Sequence, residues 1–579
     1  MNRWILLLFA ILMSGAALAN DAKLAPELKH TPNGQMVRVI VRYKALPSSV
    51  SKDRIRLRGG VVSGDLALVK SVTATIPLSK LGQLSDDDAV AYISPDRAVR
   101  SHLNNVVQAV LANYGWSLGL DGSGIGVAVI DSGIHQVSDL QNNGASRITY
   151  SADFVGGGAD DQYGHGTHVA GIIGGNAAYS TCPTCTVQIR GLAPNVALIN
   201  LRVLDNNGQG SDSTVIAAIQ TAVQLKNVYN IRVMNLSVGR PVFESYTQDP
   251  LCQAVEAAWQ AGIVVVVSAG NDGRDNSLGT NGYGTIEAPG NDPYVITVGA
   301  MNTKGTPDRG DDVMTSYSAK GPTVIDAIVK PDLVAPGNRV VSLQEPGTLT
   351  SQDPQNRVPS TYYDMENRVT PPDKYFILSG TSMATAVVSG AAALMLQQEA
   401  SLTPDQVKAR LMKTAYKNLP QYSTVVDGGV TYIIQYDAFT VGAGYLDLQA
   451  ALSDTELAPG VAKSPTASYD AISGNVFFLA DSTTPWGQPA IRGIGQISGQ
   501  SAMWGASTVW GNNAFLPKSA MWGNSAMWGS SAMWGNSAMW GNSAMWGNSA
   551  MWGNSAMWGS QFTGGDPNTA LSTVLNGEN

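Results

Sequence analysis

The chain has 579 residues, too many for one hydrophobic core, so two or more domains are expected. Hydrophobic residues make up 44% and charged residues 14%, an ordinary composition for a soluble protein. A formal net charge of −8 argues against a nucleic-acid binder, which needs a basic face for phosphate.

Arg3 precedes an apolar run from Trp4 to Met13, and Ala17-Leu18-Ala19 has the small-x-small form that signal peptidase cuts after. The run is shorter than the ~20 apolar residues of a spanning helix. Residues 1–19 therefore read as a signal peptide and the chain as exported, with periplasm, surface and medium not distinguished. Residues 20–105 form a small α+β pattern. Val37 to Tyr43 alternates apolar and charged residues, as a half-buried strand does. Val72 to Ile76 and Val90 to Ile93 read as further strands, with a short helix at Ser79 to Leu84 between them.

From 106 to 455 short apolar runs alternate with helical stretches. The runs are Val127 to Ile130, Val196 to Leu201, Ile231 to Leu236, Ile263 to Val267 and Tyr294 to Val298. Continuous apolar runs suit strands buried on both faces. The stretches Ser213 to Tyr229 and Gln253 to Ala261 have helical spacing. The expected fold class is α/β, a parallel sheet with helices on both faces. Ligands of such sheets bind at the carboxyl ends of the strands. Residues 456–500 are rich in Gly, Pro, Ser and Thr and read as a linker. In 501–560 the hexapeptide Ser519-Ala-Met-Trp-Gly-Asn524 recurs through Trp558, with Trp504 and Trp510 in the same register and Leu516 in a Trp slot. Residues 561–579 are a C-terminal tail.

The chain has three cysteines. In an exported chain a Cys182–Cys185 disulfide is expected. Zinc is disfavoured there because a second ligand pair is missing. Cys252 opens a helix and reads as a small buried apolar residue.

Three motifs in the α/β region carry chemistry. Val129-Ile-Asp-Ser-Gly133 puts Asp131 at the end of the first buried strand. Gly164-His-Gly-Thr-His-Val-Ala-Gly171 puts His165 at the start of a helix. Ser379-Gly-Thr-Ser-Met-Ala384 puts Ser382 at the start of a long apolar helix through Leu396. A serine hydroxyl is a poor nucleophile until a base takes its proton. His165 suits the base and Asp131 its orienting partner. Asn271, after the strand ending at Val267, supplies a side-chain amide for an oxyanion, together with the Ser382 backbone N–H. His168, one turn after His165, reads as structural.

The order Asp, His, Ser with these flanks, and Asn271, resembles the subtilisin family of serine proteases from Gly124 to Ala451. Lys330-Pro-Asp-Leu-Val-Ala-Pro-Gly337 is similar to a characteristic stretch of the same family. An α/β-hydrolase has the order Ser, Asp, His and a G-x-S-x-G nucleophile, and so is a poor match. The chain departs from the family at Ala386 and Val387, where Pro and His are usual. Ser342 to Phe376 is long for the family and reads as a surface loop beside the site.

The resemblance implies a secreted serine endopeptidase that works through an acyl-enzyme. Its partners are protein or peptide substrates, and no cofactor is required for the chemistry. It implies that Gly208 and Gly210 lie on one edge of the substrate cleft and Ser237, Val238 and Gly239 on the opposite wall, pairing with the peptide as an added strand. Ser268, Ala269, Gly270 and Asn271 close the pocket for the residue before the cut. No acidic residue is evident there, so apolar or broad specificity is expected. Structural calcium, common in the family, is left open: no EF-hand-like loop is present, and Asp160-Asp161 and Asp311-Asp312 read as solvated loop acids. No metal ligands are assigned.

The N-terminal unit resembles the family's inhibitory propeptide, with Val90 to Asp96 similar to its last strand and a self-cut expected near Ser101 to Val107. Only a short connection joins Tyr43 to Gly59, so the first helix of that unit is expected to be short or missing. In the repeat a period of six places all Trp side chains on one face of an extended chain. Self-association and contact with the cell envelope are both compatible with that pattern.

Overall fold

The computed structural model describes residues 36–96, 104–364, 374–470 and 475–479, except 278 and 428, together with 23–25, 28, 484, 575, 577 and 578. The signal-peptide and Trp-repeat expectations lie outside the described residues. Two units, 1–100 and 101–579, are taken separately.

In the first unit the alternation of Val37 to Tyr43 produces strand β1, Met36–Tyr43, with Val39, Val41 and Tyr43 turned inward. It is followed by α1 (Ser49–Arg56), β2 (Val61–Leu66), β3 (Ser71–Pro77), α2 (Leu81–Ser85) and β4 (Val90–Pro95). The sheet order is β2-β3-β1-β4, and every pairing is antiparallel. Helix α1 is eight residues long and capped by Ser48, so the expected helix is short but present. Strand β2 was not legible, because its inward and outward residues differ little in polarity. Ile55, Val72, Ile76, Leu81, Leu84 and Ile93 form this unit's own core.

In the second unit the five apolar runs fall on parallel strands, joined by two strands, Ile148–Asp153 and Leu333–Pro336, that the sequence did not single out as strands. These are β5 (Gly126–Asp131), β6 (Ile148–Asp153), β7 (Ala197–Arg202), β8 (Ile231–Leu236), β9 (Val264–Ser268), β10 (Ile296–Asn302) and β11 (Leu333–Pro336). The order β10-β9-β8-β5-β7-β6 is parallel throughout; β11 also joins β10 in parallel, and a short strand, Val313–Met314, closes that end antiparallel. Every residue of β5, β9 and β10 is buried, as strands covered on both faces must be.

The longest helices are α3 (His165–Gly174), α4 (Asp212–Leu225), α5 (Pro250–Gln260), α6 (Thr381–Gln398) and α7 (Pro404–Thr414). Helix α6 is buried from Thr381 to Leu396. Its Ala, Ser and Gly side chains let it pack closely on the sheet and on α3. Ala386 and Val387, the departures from the family pattern, are fully buried within it.

Two expectations are corrected. The described residues of Ser342 to Phe376, 342–364 and 374–376, are not only a surface loop. They supply a small antiparallel sheet (Val340–Leu343, Tyr375–Leu378, Arg357–Val358) and a helix, Thr348–Gln352, whose Leu349 is fully buried. The Leu349 N–H donates to the Tyr163 carbonyl (2.9 Å), tying this segment to the residues just before His165. The expected linker from 456 begins as part of the core. Ala462, Ser464 and Ala467 are buried, and Thr466–Asp470 pairs with Asn475–Leu479. The polar composition of that segment conceals Ser464, whose hydroxyl donates to Asp332 Oδ1 at 2.5 Å.

The chain also returns to this unit at its far end. Glu578 is buried, with Oε1 2.9 Å from Arg274 and accepting from the Ser316 N–H at 2.8 Å. The Glu578 backbone exchanges hydrogen bonds with the Asn338 side chain at 2.7 and 2.8 Å. Cys182 and Cys185 are bonded to each other, and Cys252 is buried in α5 with its thiol on Asn291 Oδ1. Among the described residues no helix is long and apolar enough to cross a membrane.

Candidate active site

Strand β5 ends on Asp131, which is buried, and Asp131 Oδ1 accepts from the Ser132 N–H and from His165 Nδ1, both at 2.7 Å. His165 opens α3. Burial alone would lower its pKa, but the Asp131 charge and hydrogen bond, with Asp161 behind them, raise it above the ordinary 6.5. The imidazole is thus held with Nδ1 toward the carboxylate, leaving Nε2 as the basic atom.

Asp161, expected to be a solvated loop acid, is buried. It accepts from the Gly164 N–H (2.7 Å), the Thr167 N–H (2.8 Å) and the Ser132 hydroxyl (2.8 Å). It therefore fixes the first turn of α3 and the residue beside Asp131 in one contact set. His168 has Nε2 3.1 Å from both the Val340 and Phe376 carbonyls, and burial pushes its pKa down to about 3. It is a neutral structural group, as the sequence suggested.

Ser382 lies in the first turn of α6, which packs against α3. No hydrogen bond joins Ser382 to His165 among the described residues; such contacts are often long without substrate. The Ser382 carbonyl accepts from Ser237 Oγ (3.2 Å), which in turn accepts from Asn235 (3.0 Å), and Asn235 also accepts from Ser389 (2.9 Å). This chain of bonds pins the nucleophile's helix to the end of β8.

Asn271 follows β9. Its Oδ1 accepts from the Thr381 N–H (2.9 Å) and the Thr381 hydroxyl (3.1 Å), which fixes the amide so that Nδ2 is the free donor. Gly380 precedes this turn with φ +144°, a backbone that side-chain-bearing residues rarely adopt, and a Cβ there would stand 3.4 Å from Nδ2. The amide is left uncovered beside the first turn of α6, where backbone N–H groups and the helix dipole favour negative charge. Thr381 and Asn235 were missed in the sequence. Their partners lie more than a hundred residues away, and no local pattern marks them.

The remaining residues assigned to substrate contact lie where β7, β8 and β9 end. Gly208 and Gly210 are in the loop after β7, with Gly208 packed on the Tyr163 ring. Ser237, Val238 and Gly239 follow β8; Ser268 ends β9, and Ala269 and Gly270 follow it. The premise that no acid lines the pocket fails. The Glu287 carboxylate lies against both Gly239 and Gly270. Sequence spacing gave no hint of this, because Glu287 reaches the site from a separate crossing segment.

Among the described residues no three acidic side chains gather within reach of one cation. Asp161 is a helix clamp, and Asp312, also buried, accepts from the Tyr445 hydroxyl at 2.7 Å, while Asp160 and Asp311 are exposed. The tight group of potential ligands, Cys182, Cys185 and Asp364, contains the disulfide and does not suit a hard cation.

A parallel sheet with an Asp–His pair at one strand end, a serine in the first turn of a buried helix and a fixed amide beside it defines a serine hydrolase site. The Subtilase family model matches residues 122–440, and the chain belongs to that family. Serine protease AprX of Bacillus subtilis (strain 168) is 37% identical over 342 residues, covering 57% of this chain and 70% of its own. Subtilisin E of the same organism is 30% identical over 453 residues, covering 77% and 98%. Extracellular serine proteinase of Thermus sp. (strain Rt41A) is 33% identical over 363 residues, covering 61% and 72%. The protein is a serine endopeptidase of the subtilisin type, with an Asp-His-Ser triad, and acts on protein substrates.

Proposed function

We propose that Ser382 is the nucleophile, His165 the general acid and base, Asp131 the orienting carboxylate and Asn271 an oxyanion donor. The observation that carries this reading is the 2.7 Å contact of His165 Nδ1 with Asp131 Oδ1 beside the serine helix. His165 Nε2 takes the Ser382 proton as Oγ attacks the peptide carbonyl. The tetrahedral oxyanion is held by Asn271 Nδ2 and the Ser382 N–H. His165 then gives the proton to the leaving amine, and water, activated in the same way, hydrolyses the acyl-enzyme. No cofactor enters these steps.

The chain is further read as exported and as a proenzyme. The export signal at 1–19 supports the first. The antiparallel α+β unit before residue 97, similar to an inhibitory propeptide, supports the second. On this reading the unit inhibits its own enzyme until cut near Ser101 to Val107. The Trp repeat is read as a surface for the cell envelope or for its own copies, supported by its six-residue period. Binding of residues 501–579 to cell-wall material tests that.

The first measurement is the intact mass of the exported protein, wild type beside Ser382→Ala. The expected result is that wild type loses the N-terminal unit and the variant keeps it, with activity below about a thousandth of wild type. Substantial peptidase activity in Ser382→Ala would overturn the triad assignment. Retention of the unit by an active wild type would overturn the propeptide reading alone.

A further inference from the structure

The parallel strands β8 and β9 run side by side, Leu236 beside Val267, and the segments after them form two facing walls. A third segment, Gly284 to Ala288, crosses both. The Glu287 N–H donates to the Ala269 carbonyl (3.1 Å), while Ala288 exchanges backbone hydrogen bonds with Arg240 (2.8 and 3.0 Å). These bonds hold Glu287 between the walls with its side chain inward. A Cβ on Gly239 would collide with Glu287 Oε2, and one on Gly270 would lie 2.8 Å from its Cγ and 2.9 Å from its Cδ. The two glycines thus leave the space that the carboxylate occupies.

The carbonyl attacked by Ser382 lies between the Ser382 N–H and the Asn271 amide. The side chain of the residue that owns this carbonyl therefore enters beside Gly270, the neighbour of Asn271, and meets Glu287.

Among the described residues nothing donates to this carboxylate and no cation faces it. Arg240, whose backbone pairs with Ala288 of the crossing segment, has its guanidinium engaged by Asp212 and Asp249 at 2.9 Å. Lys320 donates to the Asn281 carbonyl at 2.9 Å. Arg274 is held by Asp427 and Glu578. Burial, and then the charge of Asp272, push the Glu287 pKa up to about 8. A half-buried acid without a counter-charge is costly to ionise. A substrate ammonium or guanidinium entering the pocket supplies that charge.

We propose that Glu287 is the residue that selects the side chain before the cut, and that it selects a cationic one, lysine or arginine. This replaces the apolar or broad preference expected from sequence. It rests on the triad reading and on the two walls assigned above.

The test uses the full chain and a peptide series differing only before the cut: Arg, Lys, Leu and Phe. A fluorophosphonate that labels an activated serine is measured alongside. Wild type is expected to cleave after Arg or Lys with kcat/KM at least tenfold above Leu or Phe. Glu287→Gln, nearly isosteric, should lower the Arg and Lys values on the order of 10²-fold and leave Leu and Phe unchanged or raised. Fluorophosphonate labelling should be unchanged. A wild type that prefers Leu or Phe overturns the proposal whether or not the variant folds. So does a labelled variant with an unaltered Arg-to-Leu ratio. Absence of labelling in wild type overturns the triad reading, and the proposal falls with it.

Discussion

Of the roles proposed above, that of His165 has the most direct consequence. Catalysis needs its neutral form, and the Asp131 charge raises its pKa above the ordinary 6.5. Activity should therefore fall as pH is lowered through a midpoint above 6.5. Asp131→Asn should move that midpoint downward and cut kcat by about 10⁴. The measurement is kcat/KM against pH on one peptide. The same shift means the charged imidazole stabilises the fold below its unfolded pKa, and that this contribution is lost as pH rises through the folded value. The acid limb of activity is then not an unfolding event, which circular dichroism across the limb would check. At this scale the sequence was legible where chemistry demands a local signature. Asp131, His165, Ser382 and Asn271 each sit in a short motif at a strand or helix end. Glu287 and Thr381 were not read, and Asp161 was read as a solvated loop acid, because their partners are brought near only by folding.

Among the elements, the long buried runs were read almost to their ends, since a strand covered on both faces leaves little choice of residue. The segment before the nucleophile is better understood from its charges. Asp332, at the head of β11, lies fully buried between two ammonium groups, Lys330 Nζ at 2.8 Å and Lys408 Nζ at 3.2 Å. It also accepts from the Thr297 N–H at 2.8 Å. One carboxylate thereby joins β10, β11, α7 and the segment carrying Ser464. Burial would raise its pKa, but the two lysines hold it below the ordinary carboxylate value. That contribution to stability is present above the unfolded pKa and is lost as acid brings the pH down through the folded value. Asp332→Asn would leave Lys330 and Lys408, the latter with a pKa that burial already lowers to about 7, buried without a counter-charge. In a Ser382→Ala background, which removes self-digestion, it should cost about 3–5 kcal/mol by denaturant unfolding. Pattern reading found Lys330-Pro-Asp only as a family-like string. Lys408, in a helix far along the chain, gives that string its physical reason.

For the whole molecule, the sequence pattern changes near residue 105, and each of the two units has its own sheet and core. What composition could not show is that the tail comes back. Glu578 is held by Arg274, Ser316 and Asn338, all distant in sequence, and the residues around it carry no periodic signal. Glu578→Gln should lower the hydrogen-exchange protection of the Ser316 amide by roughly tenfold or more, the worth of a charge-assisted bond. Protection in α3 should be unchanged. An unaltered Ser316 amide would mean that this contact does not hold the segment.

The docked Glu578 also alters what a single nick can accomplish. A chain whose Glu578 is docked stays attached to this unit at its far end as well as through its backbone. One cut between the two attachments liberates no fragment while the Glu578 contacts hold; shedding needs a second cut or the release of that carboxylate.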